Sequence, residues 1–282
     1  MEDSTVFTSL SPGAIGVRLP FDECVELAAH FGFEGISLDV GWAAKNGPSA
    51  VVQILEERDM RPGGWGLPLR LLGPQDQFEE GMAKLGETAD IAARCGDTRC
   101  STWVPSASDE APYEELFELL RERVTAVAKV LSEYDARLGL EFLGPRTLRA
   151  GRKYEFIHTM DQMLELTRSV ETANVGLLLD CWHLYTSGGS MDDVLRLSDR
   201  DVVMVHINDA PAGVAIEDHV DNVRGLPGET GVIGVPRFLA NLRQIGYTGP
   251  VMAEPFSERV RQMPPEQAIE VTKKAIDSVW PD

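Results

Sequence analysis

Three acidic residues and one histidine each stand near the end of an apolar, strand-like segment in the second half of the chain. They are Glu141 in RLGLEFLG, Asp180 in VGLLLDCW, His206 in VVMVHIND and Glu254 in GPVMAEPF. A buried carboxylate is costly without an opposite charge, and carboxylates brought together repel one another. Three oxygen donors and one nitrogen suit a divalent ion such as Mn²⁺, Mg²⁺, Co²⁺ or Zn²⁺. We therefore predict that these residues share one ion.

The elements that position these residues alternate between strand-like and helix-like segments. Eight strands are predicted, at residues 14–19, 35–41, 61–67, 98–104, 137–144, 175–182, 202–209 and 249–256. Amphipathic stretches of helical period separate them, for example 78–96, 112–136 and 265–279. An open doubly wound sheet would show a glycine-rich phosphate loop after an early strand, and none is present. The pattern favours the α/β class and a single (β/α)8 TIM barrel, with residues 1–282 as one domain.

Side-chain alternation along the strands predicts which groups face the barrel axis. Leu178 shares a face with Asp180, Met204 with His206, and Met252 with Glu254. We expect the apolar partners to fill the interior and the polar groups to form the layer above them. That layer lies at the carboxyl ends of the strands, where barrels of this type hold their active sites.

Five segments of the second half carry a resemblance to a known family. GLEFLGP, LLLDCWHLY, VVMVHINDAP, RGLPGETGVI and GYTGPVMAEPF occur in the order and spacing of the sugar phosphate isomerase/epimerase superfamily of xylose isomerase-like TIM barrels. The resemblance implies that the divalent-metal ligands are Glu141, Asp180, His206 and Glu254. It also implies substrate contacts by His183 and Arg224. His183 follows Asp180 by three residues, so it can share the face of Asp180 only where the strand has ended.

The activity that this resemblance implies is metal-dependent isomerisation or epimerisation of a sugar or polyol ketone. Glu141 and Glu254 would carry protons as well as bind the ion, and the reaction would pass through a metal-bound enediolate. A lyase is the alternative, either a dehydratase of a keto-inositol or dehydroshikimate or an enzyme of keto-sugar β-elimination. It stays open because Thr147 occupies a position where epimerases of the family often carry a second glutamate. A DNA-repair endonuclease on the same barrel is a third alternative, disfavoured by the five histidines and the negative charge.

Other residues are candidates for substrate binding. Residues 144–156 carry a run of basic side chains directly after the first predicted ligand, and Lys153 in this run is a candidate substrate contact. Trp103 is a second candidate, because an aromatic face packs against the C–H face of a sugar. Three further tryptophans also end predicted strands, and we expect Asn208 and Asp209 to steady His206.

Composition excludes some classes of partner. The chain of 282 residues has a formal net charge of −19, which opposes binding to nucleic acid and to anionic membranes. Its four cysteines form no metal-finger or CxxC pattern and are expected to be buried, reduced thiols. The N-terminal residues show no signal peptide. We expect a cytoplasmic protein with a small sugar or polyol substrate, and a homo-oligomer stays open.

Overall fold

Short apolar segments form a sheet of parallel strands at the centre of the molecule, of which the computed structural model describes residues 6–281. The strands, in chain order, are β1 (Phe7–Leu10), β2 (Gly35–Ile36), β3 (Arg61–Pro62), β4 (Trp65–Gly66), β5 (Arg99–Val104), β6 (Ala107–Ser108), β7 (Arg137–Phe142), β8 (Tyr154–Glu155), β9 (Val175–Asp180), β10 (Val202–Ile207) and β11 (Pro250–Ala253). β6 and β8 pair antiparallel outside the main sheet.

The order of the strands shows that the sheet closes into a barrel. It runs β3-β2-β1-β11-β10-β9-β7-β5-β4. Its first and last members, β3 and β4, are separated along the chain only by Gly63 and Gly64. A Cβ at Gly63 would lie 2.1 Å from the Ser9 hydroxyl, so only glycine fits where this strand is interrupted. The predicted eight-stave barrel is confirmed, with β3 and β4 as two halves of the third stave.

Helices cover the outside of the barrel, each with an apolar face towards it. Their bounds are α1 (Phe21–His30), α2 (Val40–Asn46), α3 (Pro48–Glu56), α4 (Gln75–Arg94), α5 (Tyr113–Ser132), α6 (Met160–Ser169), α7 (Cys181–Thr186), α8 (Val235–Gln244), α9 (Glu258–Arg261) and α10 (Pro265–Val279). In α5, Leu120, Val124 and Val127 are buried at spacings of four and three residues. Burial of one such side chain contributes about 1.5–3 kcal/mol.

A small apolar cluster fills the barrel interior beneath the candidate ligands. It consists of Leu178, Val203, Met204 and Met252. The predicted interior positions of Leu178, Met204 and Met252 are therefore confirmed. Strand register sets the level of the polar layer above them, because His206 in β10 lies opposite Asp180 in β9.

The first predicted strand, at residues 14–19, is wrong. Residues Gly13–Ile15 form a turn of 3-10 helix that ends at Gly16 with φ of +80°, and the first strand is β1, six residues upstream. Ile15 and Val17 are buried although they belong to no strand. Apolar content alone therefore misplaced this element, because a buried turn and a buried strand need the same residue types.

The cysteines are buried and unpaired, as expected. Between residues 6 and 281, the helices lack an apolar stretch that could cross a bilayer. Residues 1–5, which carry part of the N-terminal segment used for the signal-peptide prediction, lie outside the described residues.

Candidate metal centre and substrate cavity

The four predicted ligands converge at the carboxyl ends of neighbouring strands. One potential ligand atom from each of Glu141, Asp180, His206 and Glu254 lies within 4.8 Å of the others. Asp180 ends β9, and Glu254 follows β11 with its backbone N–H bonded to the carbonyl of Ile207. The carboxyl ends of the parallel strands all lie at one end of the barrel, and this is why the four side chains meet there.

Two atoms of this cluster are buried and have no hydrogen-bond partner among the described residues. They are Glu141 Oε1 and His206 Nδ1, which lie 3.7 Å apart. His206 Nδ1 is also 3.6 Å from Glu254 Oε2. These separations are too long for hydrogen bonds, so neither atom is satisfied by its neighbours. Such a donor set fits one divalent cation.

Arg224 supplies positive charge to the cluster. Its Nη1 donates to Asp180 Oδ2 at 2.8 Å and to Glu254 Oε2 at 3.0 Å, while its Nη2 donates to Asp221 Oδ1 at 2.9 Å. The Arg224 side chain is 1% exposed. Because a guanidinium stays protonated when buried, Arg224 partly offsets carboxylates that would otherwise repel one another.

The surroundings separate the pKa values of the two glutamates. Burial raises the pKa of Glu141 to about 7. Burial also acts to raise the pKa of Glu254, but His206 and Arg224 outweigh it and the pKa is lowered. Burial opposes the charged form of His206, yet the carboxylates of Glu254 and Glu141 raise its pKa well above 6.5. The cluster therefore favours positive charge at its centre.

His183 faces this cluster because the chain turns into α7 directly after β9. Its Nδ1 accepts a hydrogen bond from the backbone N–H of Gly144 at 3.1 Å. The guanidinium Nη2 of Arg224 lies 3.3 Å from His183 Nε2, so both ring nitrogens face groups that can only donate hydrogen bonds. Burial lowers the pKa of His183 well below 6.5. The Nε2 edge of the neutral ring therefore faces the metal centre, 3.9 Å from Glu141 Oε1 and beside the Arg224 guanidinium.

Asn208 and Asp209 do not act on His206 as expected. Asn208 Nδ2 donates to Asp180 Oδ1 at 3.0 Å, so it orients a different ligand. Asp209 accepts hydrogen bonds from the backbone N–H groups of Thr230 and Gly231 at 2.9 and 2.7 Å. Asp209 thus holds the loop that follows Arg224 rather than the metal centre.

A cavity of about 430 Å³ opens next to the cluster. We call it the tryptophan cavity, after Trp103, and the residues that line it include Glu141, His183, Arg224 and Glu254. Trp103 is 54% exposed at its edge. The cavity therefore brings both glutamates, the His183 ring and an aromatic face to one small-molecule-sized space.

A second cavity of about 230 Å³ adjoins the cluster on the side of the first strands. We call it the serine chamber, and its lining residues are Ser11, Ser37, Leu38, Gly64, Trp65, Gly66, Ser101, Met204, His206 and Met252. Since His206 lines this chamber while Glu141 and Glu254 line the tryptophan cavity, the metal centre lies between the two spaces.

Lys153, predicted as a substrate contact, is not among the residues that line these two cavities. Its Nζ lies 4.8 Å from the centre of the Tyr154 ring. Arg152, one residue earlier, lines the tryptophan cavity instead, and its Nε is 3.1 Å from Asp109 Oδ2. Thr147 donates to the carbonyl of His219 at 2.7 Å.

The other tryptophans fill different roles from Trp103. Trp182 is fully buried and Trp65 nearly so, and Trp42 packs on Phe21 with ring centres 5.5 Å apart.

Asp221 was missed by the sequence reasoning although it holds Arg224. Asp221 precedes Arg224 by three residues, and this spacing could have predicted an ion pair between them. That Arg224 also holds two candidate metal ligands is visible only in the fold.

The fold and the site together define the class of protein. The profile of the xylose isomerase-like TIM barrel family matches residues 25–278, and the chain belongs to that family. Among solved structures, a xylose isomerase domain protein from Alicyclobacillus acidocaldarius is 29% identical, with a TM-score of 0.87 and 98% of each chain covered. The IolI protein with a bound zinc atom is 18% identical, with a TM-score of 0.81 and 97% of each chain covered, and shares the fold.

Relatives of known activity match about half of this chain. Inosose isomerase of Halalkalibacterium halodurans is 28% identical over 153 residues, which are 53% of this chain and 50% of that protein. A 3-dehydroshikimate dehydratase of Pseudomonas aeruginosa is 30% identical over 135 residues, 48% of this chain and 20% of that protein. The match therefore spans about half the length of the isomerase and a fifth of the dehydratase. The relatives are enzymes of the isomerase and lyase kinds.

Proposed function

We propose that the protein is a divalent-metal-dependent isomerase or epimerase of a sugar or polyol ketone. The observation that carries this proposal is the position of Glu141 and Glu254, two carboxylates that belong to one cluster of potential ligands and also line the tryptophan cavity. A carboxylate in that position can bind a cation and reach a substrate C–H bond. Inosose isomerases among the relatives support this kind of reaction.

The ligands in this proposal are Glu141, Asp180, His206 and Glu254. The orphaned lone pairs of Glu141 and His206 fit a cation, and the zinc atom in the related IolI structure supports one. A divalent ion there would polarise a carbonyl and a neighbouring hydroxyl oxygen, which acidifies the C–H between them. The candidate ions are those of manganese, magnesium, cobalt and zinc, and metal analysis of the purified protein distinguishes them.

Glu141 and Glu254 transfer the proton in this proposal. One carboxylate removes a proton from the carbon next to the carbonyl, and the other returns a proton to the opposite face for epimerisation. Return to the neighbouring carbon gives isomerisation. Arg224 holds Glu254 through a 3.0 Å hydrogen bond, so this carboxylate stays ionised and oriented.

His183 and Trp103 position the substrate. The Nε2 edge of His183 contacts a substrate oxygen together with Arg224 Nη2, which lies 3.3 Å from it, because its Nδ1 is already occupied by the Gly144 N–H. Trp103 offers its exposed ring to a C–H face of the substrate. Arg224 lines the same cavity and fixes the carboxylates around the reacting centre.

A dehydratase is the second candidate, and relatives of the lyase kind favour it. After proton removal by a glutamate, a hydroxyl one carbon further on can leave as water if a proton reaches it. The glutamate that removed the proton can return it to that hydroxyl, so that water leaves and the carboxylate is regenerated. The 3-dehydroshikimate dehydratases among the relatives support this alternative.

Exchange of substrate hydrogen with solvent tests the proposal. The protein, stripped with a chelator and reloaded with Mn²⁺, is incubated in D₂O with an inosose, a keto-sugar and 3-dehydroshikimate, and the products are resolved by mass spectrometry. We expect metal-dependent deuterium uptake without other mass change for isomerisation, and loss of water for dehydration. Exchange that is equally fast after complete metal removal, or absent for every ketone, would overturn the proposal.

A further inference from the structure

A third cavity shares the side chain of Trp103 with the tryptophan cavity. Its volume is about 480 Å³, and residues 67–74, which follow β4, form most of its wall together with Thr102, Trp103 and Pro105. Trp103 and Pro105 line both cavities, so the two spaces adjoin. In the described part of the chain, none of the candidate metal ligands borders this third cavity. We call it the leucine cavity, and it belongs to no site assigned above.

The wall of the leucine cavity is mainly apolar. Four leucines, three prolines and Trp103 line it, and two of the leucines, Leu69 and Leu71, are buried. Trp103 is more than half exposed, which leaves a large aromatic surface open to solvent beside these leucines. A concave apolar wall of this size suits a small molecule with an apolar body, which gains about 25 cal/mol for each Å² of apolar surface that it removes from water.

Arg70 gives this apolar wall a positive charge. The described residues that line the leucine cavity include no acidic side chain. Arg70 is exposed, and within residues 6–281 its guanidinium has neither an ion pair nor a hydrogen bond. Arg152 in the tryptophan cavity, in contrast, is paired with Asp109 at 3.1 Å. The donors of Arg70 are therefore available to a carboxylate, which they match in geometry.

A buried arginine fixes the shape of the wall. Arg123 of α5 is 7% exposed, and its Nη1 donates to the carbonyl oxygens of Leu71 and Gly73 at 2.8 and 2.7 Å. Its Nη2 donates to Gln75 Oε1 at 2.7 Å, and its guanidinium lies 4.5 Å from the centre of the Phe78 ring. Because these bonds hold the segment in one shape, the cavity can receive a ligand without first paying to order its wall.

We propose that the leucine cavity binds a small apolar anion, an aryl or alkyl group that ends in one carboxylate. The apolar body lies against the leucines and Trp103, and the carboxylate accepts hydrogen bonds from Arg70. Since the candidate metal ligands lie outside this cavity, its ligand is a separate molecule from the substrate of the proposed function, and its binding requires neither the metal ion nor turnover.

Three related probes test the apolar and the anionic parts of the site separately. Calorimetry of the Mn²⁺-loaded protein is carried out with 3-phenylpropionate, with the neutral 3-phenylpropan-1-ol and with acetate, which lacks the ring. We expect 3-phenylpropionate to bind most tightly, because only this probe gains both the apolar contact and the charge-assisted hydrogen bond. Removal of the metal with a chelator should leave its Kd unchanged.

Arg70→Met keeps an apolar stem and removes the charge. It should raise the Kd of 3-phenylpropionate about threefold to tenfold and leave the Kd of the alcohol unchanged. Arg168→Met, the same change at an exposed residue of α6, is the matched control and should alter neither value. Trp103→Ala should weaken the binding of the acid and of the alcohol alike. Measurement of Tm establishes that each variant is folded.

Three results would overturn the inference. The first is the absence of binding by 3-phenylpropionate, or binding no tighter than that of the alcohol. The second is an equal Kd of this acid for the parent and Arg70→Met. The third is loss of its binding when the metal is removed, because the probe would then occupy the metal centre. None of these measurements involves turnover, so the inference and the proposed function fail independently of each other.

Discussion

Arg224 and Asp180 form a fully buried ion pair beneath the candidate metal centre. Arg224 Nη1 lies 2.8 Å from Asp180 Oδ2, and the two side chains are 1% and 0% exposed. A buried charge pair of this kind is retained at a cost in desolvation. The Arg224 guanidinium neutralises part of the negative charge of a carboxylate that also faces the cation site. The barrel can therefore fold around three acidic side chains without a metal ion.

Removing the Arg224 charge should destabilise the metal-free protein most. In Arg224→Met, Asp180 and Glu254 lose their buried partner, and the free energy of unfolding falls by about 3–5 kcal/mol in the presence of a chelator. Mn²⁺ should recover part of this loss because it supplies the missing positive charge. Urea unfolding with chelator and with Mn²⁺ measures both values.

Arg259→Met is the control for that experiment. Arg259 pairs with Glu229 at 2.7 Å on the surface, where the two side chains are 53% and 37% exposed. Loss of such a pair changes stability by less than about 1 kcal/mol. Equal losses for Arg224→Met with and without metal would show that the arginine does not compensate the same charges as the cation.

Glu254→Gln should remove both a ligand and a proton carrier. The amide keeps the shape of the side chain but cannot accept a proton, so turnover should fall by about 100-fold or more, together with weaker metal binding. Metal analysis is carried out on the same samples as the exchange assay. Glu258→Gln, the same change on an exposed residue of α9, should alter neither quantity. Full activity in Glu254→Gln would refute the assigned role.

Asn208→Ala should weaken metal binding without touching a ligand. Asn208 Nδ2 donates to both oxygens of Asp180, at 3.0 and 3.3 Å, and so fixes the orientation of that carboxylate. Loss of such a partner costs about tenfold to 100-fold in metal affinity, which competition with a chromogenic chelator can measure. Asn46→Ala removes a comparable amide bond on the surface, to the carbonyl of Trp42, and should leave the affinity unchanged.

Gly144→Ala should displace the helix that carries His183. A Cβ at Gly144 would lie 2.2 Å from the His183 carbonyl oxygen and 2.9 Å from the Ser187 backbone nitrogen. Since both are backbone atoms, the segment that follows β7 must move away from the end of α7, and we expect a loss of about 1–3 kcal/mol in the free energy of unfolding, measured with urea. Gly13→Ala, with no atom within 4 Å of the new methyl group, is the control. A stable variant with unchanged substrate binding would contradict the close packing.

Titration of the buried Asp97 carboxyl group should make the free energy of unfolding depend on pH. Its carboxylate accepts hydrogen bonds from the Gly64 and Arg99 backbone N–H groups at 2.8 and 3.0 Å, and its burial raises its pKa from 3.8 to about 6. The folded protein therefore holds this proton more tightly than the unfolded chain does. Stability falls as the pH rises from about 4 to about 6, by about 3 kcal/mol in all, and the contribution is constant above that range.

Asp97→Asn removes the titrating group while keeping one oxygen acceptor. The difference in unfolding free energy between the parent and this variant should shift in favour of the variant as the pH rises from 4 to 6. Urea unfolding at several pH values measures it. Parallel curves for the two proteins would show that Asp97 titrates alike in the folded and unfolded states.

The sequence alone was sufficient for the fold class and for the cluster of candidate ligands. The alternation of apolar strands and amphipathic helices predicted the barrel, and residues at the carboxyl ends of consecutive parallel strands meet because the barrel closes. Glu141, Asp180, His206 and Glu254 could therefore be brought together without coordinates. The first strand could not be placed, because buried turn residues such as Ile15 have the same apolar character as a strand.

Only the tertiary structure decided the partners of the residues around that cluster. Asn208 holds Asp180 rather than His206, Arg152 rather than Lys153 lines the tryptophan cavity, and the Gly144 N–H occupies Nδ1 of His183. These relationships depend on how loops and helix starts turn after each strand. Strand periodicity fixes which face a residue lies on and its level in the barrel, but a hydrogen bond is decided by distances that only the packed chain sets.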